Sequence, residues 1–177
     1  MFGAVMWRLA KSFFVHLPMG LLGLVLIYFI CQGQDSLNDG VRAQYAGVAS
    51  RSLLTLLEDA RGDLMLWCAT AMLVSWILSG FFLSSAERAR PANEAEGGAS
   101  IGLWSFMLIL LLVFMAAYGW AKLDRAQEIL LSGTMLLAVA AGALACLVAY
   151  YLSTGLMVKR VMRPSVPLAA ALPTRWS

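Results

Sequence analysis

The sequence predicts an all-α polytopic membrane protein: four transmembrane helices, with one extra amphipathic helix between the first and the second. Three observations carry that expectation. The run Ile101 to Trp120 (IGLWSFMLILLLVFMAAYGW) has no charged residue over the length a helix needs to cross the hydrocarbon core of a bilayer. Three more uncharged runs of equal or greater length occur in the chain. The composition, 61% hydrophobic and 13% charged over 177 residues, also lies far from that of a soluble domain, where about a quarter of residues are charged. Inside hydrocarbon every backbone N–H and C=O must be paired within the chain, so uncharged segments of this length are helices.

In chain order, Arg8 and Lys11 precede the first run, expected at about 12–31. Pro18 falls near its start, where proline is tolerated or bends the helix slightly. Tyr28, Phe29 and Ile30 are too bulky for the small-residue cut of a signal peptide before Cys31, so this run is read as a spanning helix. From Gln32 the composition turns polar, and residues 38–61 carry an apolar face at helical spacing, with Tyr45, Val48, Leu53, Leu56 and Leu57 on it. Asn38 or Asp39 is a candidate cap and Gly62 a candidate break. Such a face suits a lipid interface or a partner protein, and these five residues are the expected partner-facing set. Spacing alone leaves open whether the segment lies on a membrane or extends the next span.

The second span is expected at about 64–83, followed by a polar loop at 84–100 that contains Pro91, Gly97 and Gly98. After the third span, 101–120, the charged stretch Lys122 to Glu128 reads as a tight hairpin connection. The last uncharged run, 129–158, is longer than a bilayer requires. Its helix therefore tilts, projects past the headgroups or opens with a non-spanning turn at Ser132 and Gly133. The expected arrangement is a four-helix bundle of two hairpins, one with two and three with four, in a single membrane domain spanning 1–177.

Lys and Arg set the orientation. Arg8, Lys11, Arg88, Arg90, Lys159, Arg160, Arg163 and Arg175 fall on one side, against Arg42, Arg51, Arg61, Lys122 and Arg125 on the other. The positive-inside rule then puts both termini in the cytoplasm and the protein in the plasma (inner) membrane. Tyr28, Trp67, Tyr118 and Trp120 fall near the expected outer interface.

Candidate functional residues are few. Ala141, Ala145, Ala149 and Ser153 recur at four-residue steps in the last run, with Ala138 and Gly142 on an adjoining stripe, and Ala71, Ser75 and Ser79 recur in the second. Small residues let helix backbones approach closely where lipid supplies no hydrophobic drive, so these are expected helix-packing positions. His16 is the single histidine and the one ionisable residue inside the uncharged runs. A neutral imidazole hydrogen-bonded to a neighbour is the plainer reading, and a ligand role to a pigment or metal the sharper one. Cys31 and Cys68 fall near the same expected boundary of adjacent helices, which makes a disulfide between them conceivable, whereas Cys146 reads as core.

Other chemistries lack their residues. A net charge of +3 spread by topology gives no footprint for nucleic acid. Three cysteines without a CxxC, and one histidine, supply no zinc, iron–sulfur or bis-histidine haem set. No nucleophile elbow or phosphate loop is present, and no carboxylate lies inside the runs to carry protons or ions.

In the tail, Arg160, Val161, Met162, Arg163, Pro164 and Leu168 give an order of basic, apolar, basic, proline and spaced leucine. This stretch resembles the entry to a HAMP signalling linker, and the resemblance implies a signal-relay role with the basic tail as output. The residues themselves favour a non-catalytic integral subunit with no cofactor. It would pack against other integral membrane proteins and lipid in a bacterial-type inner-membrane complex for secretion, conjugation or energy transduction. A small sensor, a pore or carrier, and a homo-oligomer are the alternatives.

Overall fold

The computed structural model describes residues 2–32, 50–88, 94–130, 132–157 and 166–168. Every regular element among them is helical: α1 (Phe2–Gln32), α2 (Ser50–Arg88), α3 (Glu94–Lys122), α4 (Asp124–Ile129) and α5 (Ser132–Met157). Four of these contain a stretch long and apolar enough to cross a membrane: Met6–Gln32, Thr55–Ser85, Ile101–Lys122 and Gly133–Met157.

The helices are longer than the uncharged runs that announced them. α2 continues without a break through Gly62, so residues 50–61 are its opening turns and not a separate amphipathic helix. A glycine weakens a helix by only about 1 kcal/mol. Here Leu57, Ala60, Leu64, Trp67 and Cys68 run past it as one buried stripe, which outweighs that cost. Residues 38–49, with Tyr45 and Val48, lie outside the described residues, as does the side chain of Leu53. Leu57, expected to face a partner, is 8% exposed and belongs to the chain's own core, and Leu56 packs half-buried against it.

The expected loop at 84–100 is also largely helical, because α2 runs to Arg88 and α3 begins at Glu94. Ala86, Glu87 and Arg88 are good helix formers by residue type.

The connection after α3 is a helical corner. Leu123 N–H bonds the Gly119 carbonyl at 2.8 Å, and the short α4 closes with Leu130 N–H on the Ala126 carbonyl at 2.9 Å. Leu130 then adopts extended backbone, and α5 starts at Ser132. The run 129–158 is therefore interrupted near its start, and its helical length falls to 26 residues.

Packing departs from two side-by-side hairpins. α1, α2 and α5 pack against one another along their lengths, whereas α3 leans on α2 and shares no extended backbone seam with α5. Side-chain size explains the choice. Gly23 of α1 sits against Ala145 of α5, so those backbones approach closely. Trp104 and Tyr150 stand between α3 and α5 and hold them apart. Chain ends pair accordingly: Arg8 reaches the Leu83 carbonyl at one end, and Arg61 lies over the Tyr28 ring at the other. α1 and α3 turn broad apolar faces outward, among them Phe14, Leu21, Phe29, Phe106, Ile109 and Val113.

Candidate functional site

The seam where α1, α2 and α5 meet holds most of the buried polar atoms. On α2, Ala71, Ser75 and Ser79 are fully buried. On α5, Ala138, Gly142, Ala145, Ala149 and Ser153 are buried, while Ala141 is half-exposed. A four-residue step precesses by about 40° per repeat at 3.6 residues per turn, so Ala141 drifts off the contact face that Ala145, Ala149 and Ser153 share. The buried row steps instead from Ala138 to Gly142, Ala145, Ala149 and Ser153, and its mixed spacing tracks the helix period.

The hydroxyls on this seam do different things. Ser79 donates to the Trp76 carbonyl and Ser153 to the Tyr150 carbonyl, each one turn back on its own helix. These two satisfy themselves and act as small spacers. Ser75 works between helices: its Oγ lies 3.1 Å from His16 Nε2 on α1 and 3.2 Å from the Cys146 carbonyl on α5.

His16 is 3% exposed, and its Nδ1 lies 2.9 Å from the Ser12 carbonyl one turn earlier. A carbonyl only accepts, so the Ser12 partner puts the ring proton on Nδ1 and leaves Nε2 an acceptor, and the single Ser75 hydroxyl hydrogen is shared between Nε2 and the Cys146 carbonyl. Both ring nitrogens are then engaged within the chain, and a ligand to His16 would have to displace Ser12 or Ser75. Buried polar atoms in an apolar surrounding are costly unless paired, and this triad pairs them across all three helices.

Two aromatic braces fix α3. Trp67 of α2 donates its indole N–H to the Met115 carbonyl of α3 at 3.0 Å. Farther along, Trp104 of α3 donates to Thr154 Oγ1 at 3.0 Å, and Tyr150 O–H returns a bond to the Trp104 carbonyl at 3.1 Å. Trp76 of α2 ties to α1 through the Leu9 carbonyl at 2.8 Å, with Phe13 edge-on to its ring. Sequence reasoning assigned none of these tryptophans a packing role. The available signal was that a buried indole needs an acceptor, which three mid-helix tryptophans have to find on a neighbouring helix.

Two concavities open outward. One of about 290 Å³ lies where α3 and α5 diverge, with Trp67 and Gly119 within it and Asp124 and Gln127 of α4 on its rim. The other, about 230 Å³, runs between α1 and α2 and is walled mainly by Leu17, Leu21, Leu24, Leu73 and Met72, with His16 at its edge. The cysteine pairing left open by sequence is not made: no disulfide joins Cys31, Cys68 and Cys146. Cys68 turns inward to Cys146 of α5, whose S–H points at the Cys68 carbonyl at 3.9 Å. Among the described residues no group of three or more His, Cys, Asp or Glu side chains converges on a metal-sized site. At the tail, Tyr151 O–H donates to the Pro167 carbonyl at 2.8 Å and Val166 is buried, so residues 166–168 fold back on α5.

Fold and seam together define an all-helical assembly with four potential membrane-crossing helices, pinned by a histidine–serine contact and indole braces. The chain matches no family model, no curated protein and no solved structure.

Proposed function

We propose that the protein is a non-catalytic integral subunit of a bacterial-type inner membrane, with both termini cytoplasmic, that packs against other membrane proteins and helps assemble or stabilise their complex. One observation carries the reading. His16, Ser75, Trp67, Trp76, Trp104 and Tyr150 all direct their polar atoms to one another, to the Thr154 hydroxyl or to the chain's own backbone. A pore or carrier needs polar groups left facing a pathway or a substrate; these face each other. What the bundle offers its surroundings is apolar: the outer faces of α1 and α3, the latter braced from one side by α2. Side chains of this kind meet acyl chains or the small-residue faces of other helices, and contact is the interaction they support.

The test is extraction of the native membrane in a mild detergent, followed by sizing of the species that carries the chain and quantification of the membrane proteins that travel with it. The expected result is a species larger than the purified chain. Deleting the chain should lower the amount of those same companions in the membrane. A monomer in native extracts, or solute flux in liposomes that contain the purified chain alone, overturns the reading. Reporter fusions at both ends should give cytoplasmic signals, and an external signal from either overturns the orientation.

A further inference from the structure

Two thiols on the central seam take no part in the bracing. Cys68 of α2 and Cys146 of α5 are both fully buried. They face each other across the helix interface, where the Cys146 S–H reaches the Cys68 carbonyl at 3.9 Å. Gly23 of α1 and Gly142 of α5 back the Cys68 sulfur with bare backbone: a methyl group at either would stand 3.1 Å or 3.4 Å from it. The sulfur thus has Cys146 beside it and no bulky side chain at those two positions. A disulfide needs the two Cβ atoms about 3.5–4.5 Å apart and a sulfur separation near 2.05 Å. With the Cys146 sulfur 3.9 Å from the Cys68 carbonyl on closely packed helices, side-chain rotation is the movement that would bring the two sulfurs together.

The surroundings select the reagent. The groove between α1 and α2 reaches Gly20, Ala69 and Met72, within about one turn of Gly23 and Cys68 in the sequence, and apart from His16 and the Trp76 indole its lining is apolar. A charged oxidant would lose its hydration there without compensation, whereas an apolar organic hydroperoxide would not.

We propose that Cys68 and Cys146 form an oxidisable dithiol, converted by an apolar organic hydroperoxide to a disulfide that ties α2 to α5. In the first step one sulfur attacks the peroxide oxygen. The O–O bond breaks, an S–O bond forms, and the thiol proton leaves with the departing oxygen as an alcohol. In the second step the other sulfur displaces the hydroxyl of the sulfenic acid. The S–S bond forms, and the second thiol proton leaves in water. The sum is two thiols and one hydroperoxide giving one disulfide, one alcohol and one water. The site stands independently of the subunit reading, because it rests on two neighbouring side chains within the chain.

The experiment uses the full chain in lipid nanodiscs, with Cys31→Ser removing the third thiol, and cumene hydroperoxide as the probe. The expected product has lost two hydrogens, yields a Cys68–Cys146 linked peptide on non-reducing digestion, and returns to the starting mass with dithiothreitol. Its thermal midpoint should rise on oxidation and fall back on reduction. Cys68→Ser and Cys146→Ser should each abolish the loss of two hydrogens. If Cys31→Ser does not fold, peptide mapping of the unsubstituted chain gives the same readout. Oxygen addition at Met72 or at a single sulfur without the linked peptide overturns the proposal. So does a linkage between two chains, or a dithiol that stays reduced in the folded chain while the denatured chain reacts.

Discussion

Trp67 and Met115 join α2 to α3 through one indole N–H, which donates to the Met115 carbonyl at 3.0 Å. The ring is seated between two glycines: a methyl group would come within 3.1 Å of its nitrogen at Gly119 of α3 and within 2.9 Å of its Cζ3 at Gly142 of α5. One tryptophan thereby sets the spacing of three helices, and four predictions follow from this and related contacts.

Trp67→Phe keeps most of the apolar bulk and removes the donor. The expected loss is about 1 kcal/mol for the bond, with a further penalty for the smaller ring. Trp67→Ala should cost about 3–5 kcal/mol by opening a cavity. Denaturation in detergent checks both, and hydrogen exchange should show α3 loosening before α1 or α5, because α3 leans on α2.

Gly142→Ala places a methyl against Trp67 and 3.2 Å from Ile27 Cδ1. Both neighbours are fully buried, so neither has room to retreat. Overpacking of this kind costs about 1–3 kcal/mol, and a lowered thermal midpoint is the expected readout. An unchanged midpoint would mean that the seam between α2 and α5 is looser than described.

Gly62→Ala should act in the opposite direction. Nothing lies within 4 Å of a methyl there, and the residue sits inside an unbroken helix. Replacing an open helical glycine with alanine stabilises by about 0.5–1 kcal/mol. If α2 were instead broken at this point, the substitution would be neutral or harmful, so the same measurement tests the continuity of residues 50–88.

His16 and Ser75 should be coupled. His16→Ala, Ser75→Ala and the double variant form a cycle whose interaction energy is expected near 1 kcal/mol, the range of interhelical hydrogen bonds in lipid. Additive single effects would show that the 3.1 Å contact contributes nothing. His16→Gln, which keeps a donor and an acceptor on a flexible stem, should fall between the alanine variant and the parent chain.

Much of the helical architecture was readable in one dimension, because charge exclusion and length are local properties of a run. Residues 12–31, 64–83 and 101–120 lie wholly inside α1, α2 and α3, and Ser132, one of the two positions offered for a non-spanning turn, is where α5 begins. Boundaries were less legible. Local propensity makes Gly62 a candidate break, whereas the buried stripe of Leu57, Ala60, Leu64 and Trp67 carries the helix past it. The seam was legible in kind, since small residues marked α2 and α5; of the row Ala141, Ala145, Ala149 and Ser153 only Ala141 leaves the contact face, because a four-residue step outruns the helix period.

What the sequence determined by itself, then, was the number and approximate location of the long apolar helices and the scarcity of ionisable groups within them, since both follow from composition along the chain. The tertiary structure decided which helices touch: α1 with α5 through Gly23 and Ala145, α3 held off α5 by Trp104 and Tyr150, His16 with Ser75, and Cys68 with Cys146 in place of Cys31. Apolar helices are nearly interchangeable in hydropathy, so their neighbours are chosen by pairwise fit of side-chain volume and by the few polar atoms that must find a partner. Those quantities exist only once two surfaces are brought together.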